Sequence, residues 1–113
     1  MGVDKEDLAK SLGFCLLVCS QLQADRKQDV QRALELGNIE SAVAPYLEQQ
    51  KHHIGCFRVY EYHLARMRYN RGREAVEIRL QLRLLKAADN RVIREFAKTI
   101  CAIRRAYRNQ SER

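Results

Sequence analysis

The sequence predicts an all-α protein, a small helical bundle. Apolar residues return at three- and four-residue intervals through most of the 113 positions, the period of a one-sided helix. There is one proline and there are five glycines, so turns are few and helices long. The last segment is the clearest, with Val92, Ile93, Phe96, Ile100, Ile103 and Tyr107 on one face. An α+β alternative, in which residues 75–85 form a strand, rests on one alternating stretch taken up below. The length suits a single domain, 1–113, because a chain of this size buries about two-thirds of its extended surface.

The net charge is +7 and the isoelectric point is near 9.5. Such a balance implies an anionic partner: nucleic acid, an acidic protein face or acidic lipid. The N-terminus does not read as a targeting segment. Asp4, Glu6 and Asp7 have the wrong sign for a signal peptide, and the apolar run from Phe14 to Cys19 is too short to span a bilayer. Glu6 stands where a myristoylated Gly2 would need Ser or Thr, and Val18 departs from a lipobox before Cys19. An intracellular chain with reduced cysteines and no membrane contact is expected.

Helix one should start at Asp4, which can cap the first amides, with Glu6 and Asp7 on the positive end of the dipole and Val3 stapled onto Leu8. Leu8, Leu12, Cys15, Cys19 and Leu22 form its stripe, while Phe14 and Leu17 lie opposite. A helix apolar on two sides is central in its domain or pressed against another chain. Asp25 to Leu36 reads as a second helix stopped by Gly37, and Ile39 to Gln50 as a third, interrupted by Pro45. Between them, residues 33–47 resemble a helix-turn-helix: Ala33, Glu35, Leu36 and Gly37, then Ser41, Ala42 and Val43, then Tyr46 and Leu47. Asn38 replaces the aliphatic expected after the glycine, and Pro45 would fall inside the recognition helix at a cost of about 3 kcal/mol. An ordinary helical hairpin is the simpler reading.

The central helix puts Cys56, Phe57, Tyr60, Leu64 and Met67 on one face and Arg58, Glu61, Arg66 and Arg68 on the other. Asn70, Arg71, Gly72 and Arg73 interrupt it. From Val76 to Leu84 apolar and polar residues then alternate, which is the strand signature. The composition is rich in helix formers, so a helix is the preferred reading. That helix carries Val76, Leu80 and Leu84 on one side and Ile78, Leu82 and Leu85 on the other. It needs cover on both sides, so Val76, Ile78, Leu80, Leu82 and Leu84, with Phe14 and Leu17, are the expected partner interface. Asp89 or Asn90 should cap the final helix, whose other side carries Arg94, Lys98, Arg105 and Arg108.

Cys56, Val59 and Tyr60, the arginine-studded run to Arg66-Met67-Arg68, Leu82-Arg83, Ala87-Ala88-Asp89 and the final Phe96, Ile100, Ile103, Tyr107 face together resemble the α-helical domain of a GINS replication subunit, nearest to the partner-of-Sld-five type. The chain departs from that pattern at Gly55, where the family has a basic residue, and at Val59, where it has alanine. The resemblance implies a subunit without catalytic residues, in a four-chain assembly that braces the replicative helicase. The widely apolar helices, the first and that over 74–87, suggest protein partners in a hetero- or homo-oligomer. The location would be the nucleus of a eukaryote, otherwise the cytoplasm.

Other chemistry finds little support. Cys15, Cys19, His52 and Cys56 offer two i, i+4 pairs that could hold zinc, but the spacing is not a zinc-knuckle pattern and the first two lie in an apolar stripe, so buried thiols are expected instead. No residue places a base beside a nucleophile, no glycine-rich phosphate loop is present, and the carboxylates are scattered. The chain therefore reads as a non-enzyme without metal or cofactor. The arginines remain: Arg58, Arg66, Arg68, Arg71, Arg73, Arg104, Arg105 and Arg108 are candidates for contacting DNA or RNA, in an arginine-rich module over 58–108, if the fold brings them to one side.

Overall fold

The computed structural model describes residues 4–112. Three long helices make up the fold: α1 (Lys5–Glu35), α2 (Ile39–Arg66) and α3 (Arg73–Ser111). No strand occurs among the described residues, so 75–85 is helical and the α+β alternative falls. In that stretch Ile78, Leu82 and Leu85 are buried while Val76, Leu80 and Leu84 stay exposed. The alternation was a helix with an apolar outer stripe, not a pleat.

Several expected boundaries disappear. Asp25 opens no helix; it is an exposed residue inside α1. Asp89 and Asn90 cap nothing, because α3 runs through them. Pro45 sits inside α2 and does not interrupt it, although its missing N–H leaves the Ser41 carbonyl without a helical donor. At the start of α1, Asp4 caps as expected, accepting from the Glu6 amide at 3.0 Å. The staple by Val3 lies outside the described residues.

The α1–α2 turn is short. Gly37 takes φ +70°, the left-handed position that ends helices most readily at glycine. Asn38 then caps α2, accepting from the Glu40 and Ser41 amides. The residue that spoiled the helix-turn-helix pattern is thus a cap, and the two helices return antiparallel instead of crossing steeply. At the other turn Gly72 (φ +120°) begins α3 without a side-chain cap. Arg79 reaches back instead, donating to the Met67 and Asn70 carbonyls at 2.8 and 2.6 Å, which closes the exposed end of α2.

Contacts along the bundle fix the directions. Lys5 with Glu77, Cys15 with Asp89, and Ala33 with Tyr107 climb together, so α1 and α3 are parallel. Met67 with Arg79, His53 with Asp89 and Gln50 with Ile93 descend, so α2 is antiparallel to α3. The result is a rod of 62 × 21 × 18 Å, in keeping with the 39 residues of α3 at about 1.5 Å each.

All the core clusters contain α3. Leu82, Leu85, Val92, Phe96 and Ile103 are almost completely buried, meeting Leu8, Cys15, Cys19 and Leu22 of α1 on one flank. On the other they meet Val43 and Ala42 at one end of α2 and Tyr60, Leu64 and Met67 at the other. Between α1 and α2 direct packing is sparse, and an open groove floored by α3 separates them. One part of it, about 600 Å³, lies over Phe96 between Val18, Leu22, Asp29 and Tyr46.

A polar clasp crosses α1 and α3. Arg26 pairs with Glu95 and reaches the Thr99 hydroxyl at 3.2 Å, and Lys98 also bonds Glu95 at 3.1 Å. Burial pushes the Glu95 carboxyl up, but hydrogen bonds from Arg26, Lys98 and Gln23 outweigh it and hold it below the usual range. Stability from this carboxylate is therefore present above the ordinary carboxylate pKa and fades as pH falls through the depressed folded value. Chemical denaturation should find Glu95→Gln less stable than the parent by about 1 kcal/mol at neutral pH, with the gap closing on acidification. Leu82→Ala should cost about 2–5 kcal/mol, whereas Leu80→Ala, on the outer face, should stay within about 0.5 kcal/mol.

Candidate functional site

Where the three helices come together at mid-length, the apolar interface contains three polar side chains, one from each helix. Cys15 of α1, His53 of α2 and Asp89 of α3 are all buried. His53 Nδ1 meets Asp89 Oδ1 at 2.7 Å, and the Cys15 thiol donates to the same oxygen at 3.3 Å. Asp89 Oδ2 is buried with no hydrogen-bond partner. Phe14 stacks on the His53 ring at 6.3 Å, and Phe96 tilts against it at 5.9 Å. A cavity of about 300 Å³ opens beside the cluster, bordered by Ser11, Phe14, Cys56 and Tyr60.

Burial, then the charge and the hydrogen bond of Asp89, push the Cys15 thiol up to about 12. Burial followed by the same charge pushes Cys56 upward and Tyr60 up to about 12. Neither thiol is an activated nucleophile.

The four residues singled out as zinc ligand candidates do not form one set. Cys15, His52 and Cys56 border the same cavity, but Cys19 belongs to the α1–α3 core. His52 is exposed, with Nε2 3.8 Å from the Cys56 sulfur. Sequence reading missed His53 and Asp89. A signal existed for both: each is a polar residue at a core position of its helix, His53 in register with Cys56 and Tyr60, Asp89 in register with Leu85, Val92 and Phe96. Asp89 was hidden because an acidic residue before an amphipathic run also reads as a cap.

The expected interface residues divide. Ile78 and Leu82 are in the core at 9% and 0% exposure, because α3 turns that stripe toward Leu8, Tyr60 and Leu64; they are not available to a partner. Val76, Leu80, Leu84, Phe14 and Leu17 are 46–56% exposed. Phe14 of α1 borders the groove, while Leu17 of α1 and Val76, Leu80 and Leu84 of α3 lie outside the core clusters.

The expected arginines divide as well. Arg66, Arg68, Arg71 and Arg73 cluster at the α2–α3 turn with Arg58 further along α2, whereas Arg104, Arg105 and Arg108 lie at the far end of α3, about 46 Å from Arg73. At the turn, Arg66 covers the Tyr62 ring and Arg68 the Tyr69 ring, at 5.6 and 5.5 Å. The start of α1 brings Asp4, Glu6 and Asp7 to that same end, and Glu77 bonds Lys5 there, so the charges mix. The convergent cations are elsewhere. From Leu80 to Ser111 the exposed residues of α3 include Arg83, Arg91, Arg94, Lys98, Arg104, Arg105 and Arg108 and no acidic residue. Sequence reading put Arg94 and Lys98 on the outer side of the final helix but not in the binding set, because it did not show that this side carries no exposed acid from Leu80 to Ser111.

Among the described residues no helix is long and apolar enough to cross a membrane. Compared with known protein families, curated proteins and solved structures, the chain matches none.

Thiol labelling of the folded protein should follow these surroundings. Cys101, which is exposed, should react first and Cys56 more slowly. Cys15 and Cys19 should react only at the rate of unfolding, as mass spectrometry of timed alkylation will resolve.

Proposed function

We infer that the protein is a non-catalytic assembly subunit that binds a partner helix through the outer face of α3. The observation that carries this reading is the stripe Val76, Leu80 and Leu84, each about half exposed and spaced at i, i+4 and i+8. Three large apolar groups on one turn-by-turn line match the ridge that helices use to pack against each other. Their partners within the chain are already used up, since the opposite stripe fills the core. Arg83 flanks the line and Arg91 and Arg94 continue it, so a partner helix with acidic borders would complement it.

The resemblance to GINS subunits makes a replicative helicase complex the first assembly to test. An intracellular setting, nuclear or cytoplasmic according to the cell, belongs to the same proposal. Affinity capture from the native organism followed by mass spectrometry should recover a defined set of subunits. Leu80→Glu and Leu84→Glu should abolish that recovery while leaving the melting temperature nearly unchanged, because both sites are outside the core. A parent chain that recovers no partner and sediments as a lone monomer would sink the reading.

A second reading is favoured by the stretch of α3 from Leu80 to Ser111, which exposes no acidic residue. Arg91, Arg94, Lys98 and Arg105 recur at helical spacing on one side, a row of cations suited to a nucleic-acid backbone. Fluorescence anisotropy should then show binding to DNA or RNA that weakens steeply with salt through counterion release, and Arg94→Glu with Arg105→Glu should remove it. Absence of binding at low salt would eliminate this second role.

A further inference from the structure

We propose that Cys15, His53 and Asp89 bind one divalent metal ion of the zinc class, with a fourth position opening onto the adjoining cavity. This goes beyond the assembly reading and does not depend on it.

The donor set is the first argument. A thiolate, an imidazole and a carboxylate are the three ligand types that zinc takes in proteins, and each here comes from a different helix. Their donor atoms already lie within 4.8 Å of one another. Bonds of about 2.0–2.3 Å at tetrahedral angles need donors roughly 3.3–3.8 Å apart. The separations to Asp89 Oδ1, 2.7 Å from His53 Nδ1 and 3.3 Å from Cys15 Sγ, need only a small opening to admit the ion.

The second argument is the carboxylate itself. Asp89 is 1% exposed, and Oδ2 has no partner at all. A buried carboxylate oxygen without a donor is costly, and no Lys or Arg bonds to it. A cation held by both carboxylate oxygens would satisfy Oδ2 together with Oδ1. The charges also close: one thiolate and one carboxylate balance a divalent ion, with the imidazole neutral, its Nδ1 bound and its proton on Nε2. As the metal–sulfur bond forms, the Cys15 thiol gives up its proton to solvent.

Access is the third. The cavity of about 300 Å³ borders Cys15, His53 and Asp89, and Cys56 stands on its wall. Either water or the Cys56 sulfur can complete the tetrahedron from that side. Cys19, one turn along α1, packs against Val92 and Phe96 in the core instead, so it serves as the internal control.

The experiment uses the purified full chain, stripped with a chelator and titrated with Zn²⁺ alone by calorimetry, then with Co²⁺ as a spectroscopic probe. One equivalent should bind, the melting temperature should rise, and Co²⁺ should give a thiolate charge-transfer band with tetrahedral visible absorption. Cys15→Ala and His53→Gln should each weaken binding at least about a hundredfold, while Cys19→Ala leaves affinity and spectrum unchanged. Asp89→Asn should do the same as Cys15→Ala; if it fails to fold, the other two variants still decide. No stoichiometric binding, no cobalt–thiolate band, or binding indifferent to Cys15→Ala would overturn the proposal.

Discussion

One constraint governs the molecule: α3 must present two adjacent buried faces, because α1 and α2 scarcely support each other. Its apolar arc is broad enough to seat Leu8, Cys15 and Leu22 on one flank and Tyr60, Leu64 and Val43 on the other. A narrower stripe would have served a two-helix coiled coil. The continuity of α3 through Asp89 and Asn90 follows from the same demand, since a break there would split the surface on which both neighbours lie. Long uninterrupted helices are affordable because glycine and proline are nearly absent from them.

Directional bonds then set how the outer helices lie on that surface. Apolar packing alone tolerates sliding by a helical turn. Arg26 on Glu95 and Thr99, and the Tyr107 hydroxyl on the Ala33 carbonyl at 2.5 Å, tie α1 at separate heights. Gln50 bonded to the Ile93 carbonyl does so for α2. His53 and Cys15 meeting on one oxygen of Asp89 align all three helices at a single level.

The fold class was legible in the residues, and the reason is the 3.6-residue period, strong from Leu8 to Leu22 and from Val92 to Tyr107. The boundaries were less so. Asp25 and Asp89 have cap chemistry, yet one faces solvent and the other is buried by tertiary contacts that a local rule does not see. Pro45 read as a break, but six preceding residues of α2 and the packing of Ala42 and Val43 carry the helix through it. The alternation at 76–84 misled in part: it correctly marked two apolar sides, and only the packing of Leu8, Tyr60 and Leu64 decides which of them is covered. The polar cluster was the hardest to foresee, because its members lie on three helices and become neighbours only when the bundle closes.

The sparse contact between α1 and α2 has a consequence for how the native state is reached. Met67 and Arg79 are 12 residues apart, while Cys15 and Asp89 are separated by 74 and Lys5 and Glu77 by 72. Closing the short loop costs less chain entropy than closing the long one. Chain entropy therefore favours the α2–α3 hairpin over the α1–α3 contact as the first to close. Of the three side chains at the junction, Cys15 is the one whose placement beside Asp89 needs the longer closure, 74 residues against 36 for His53.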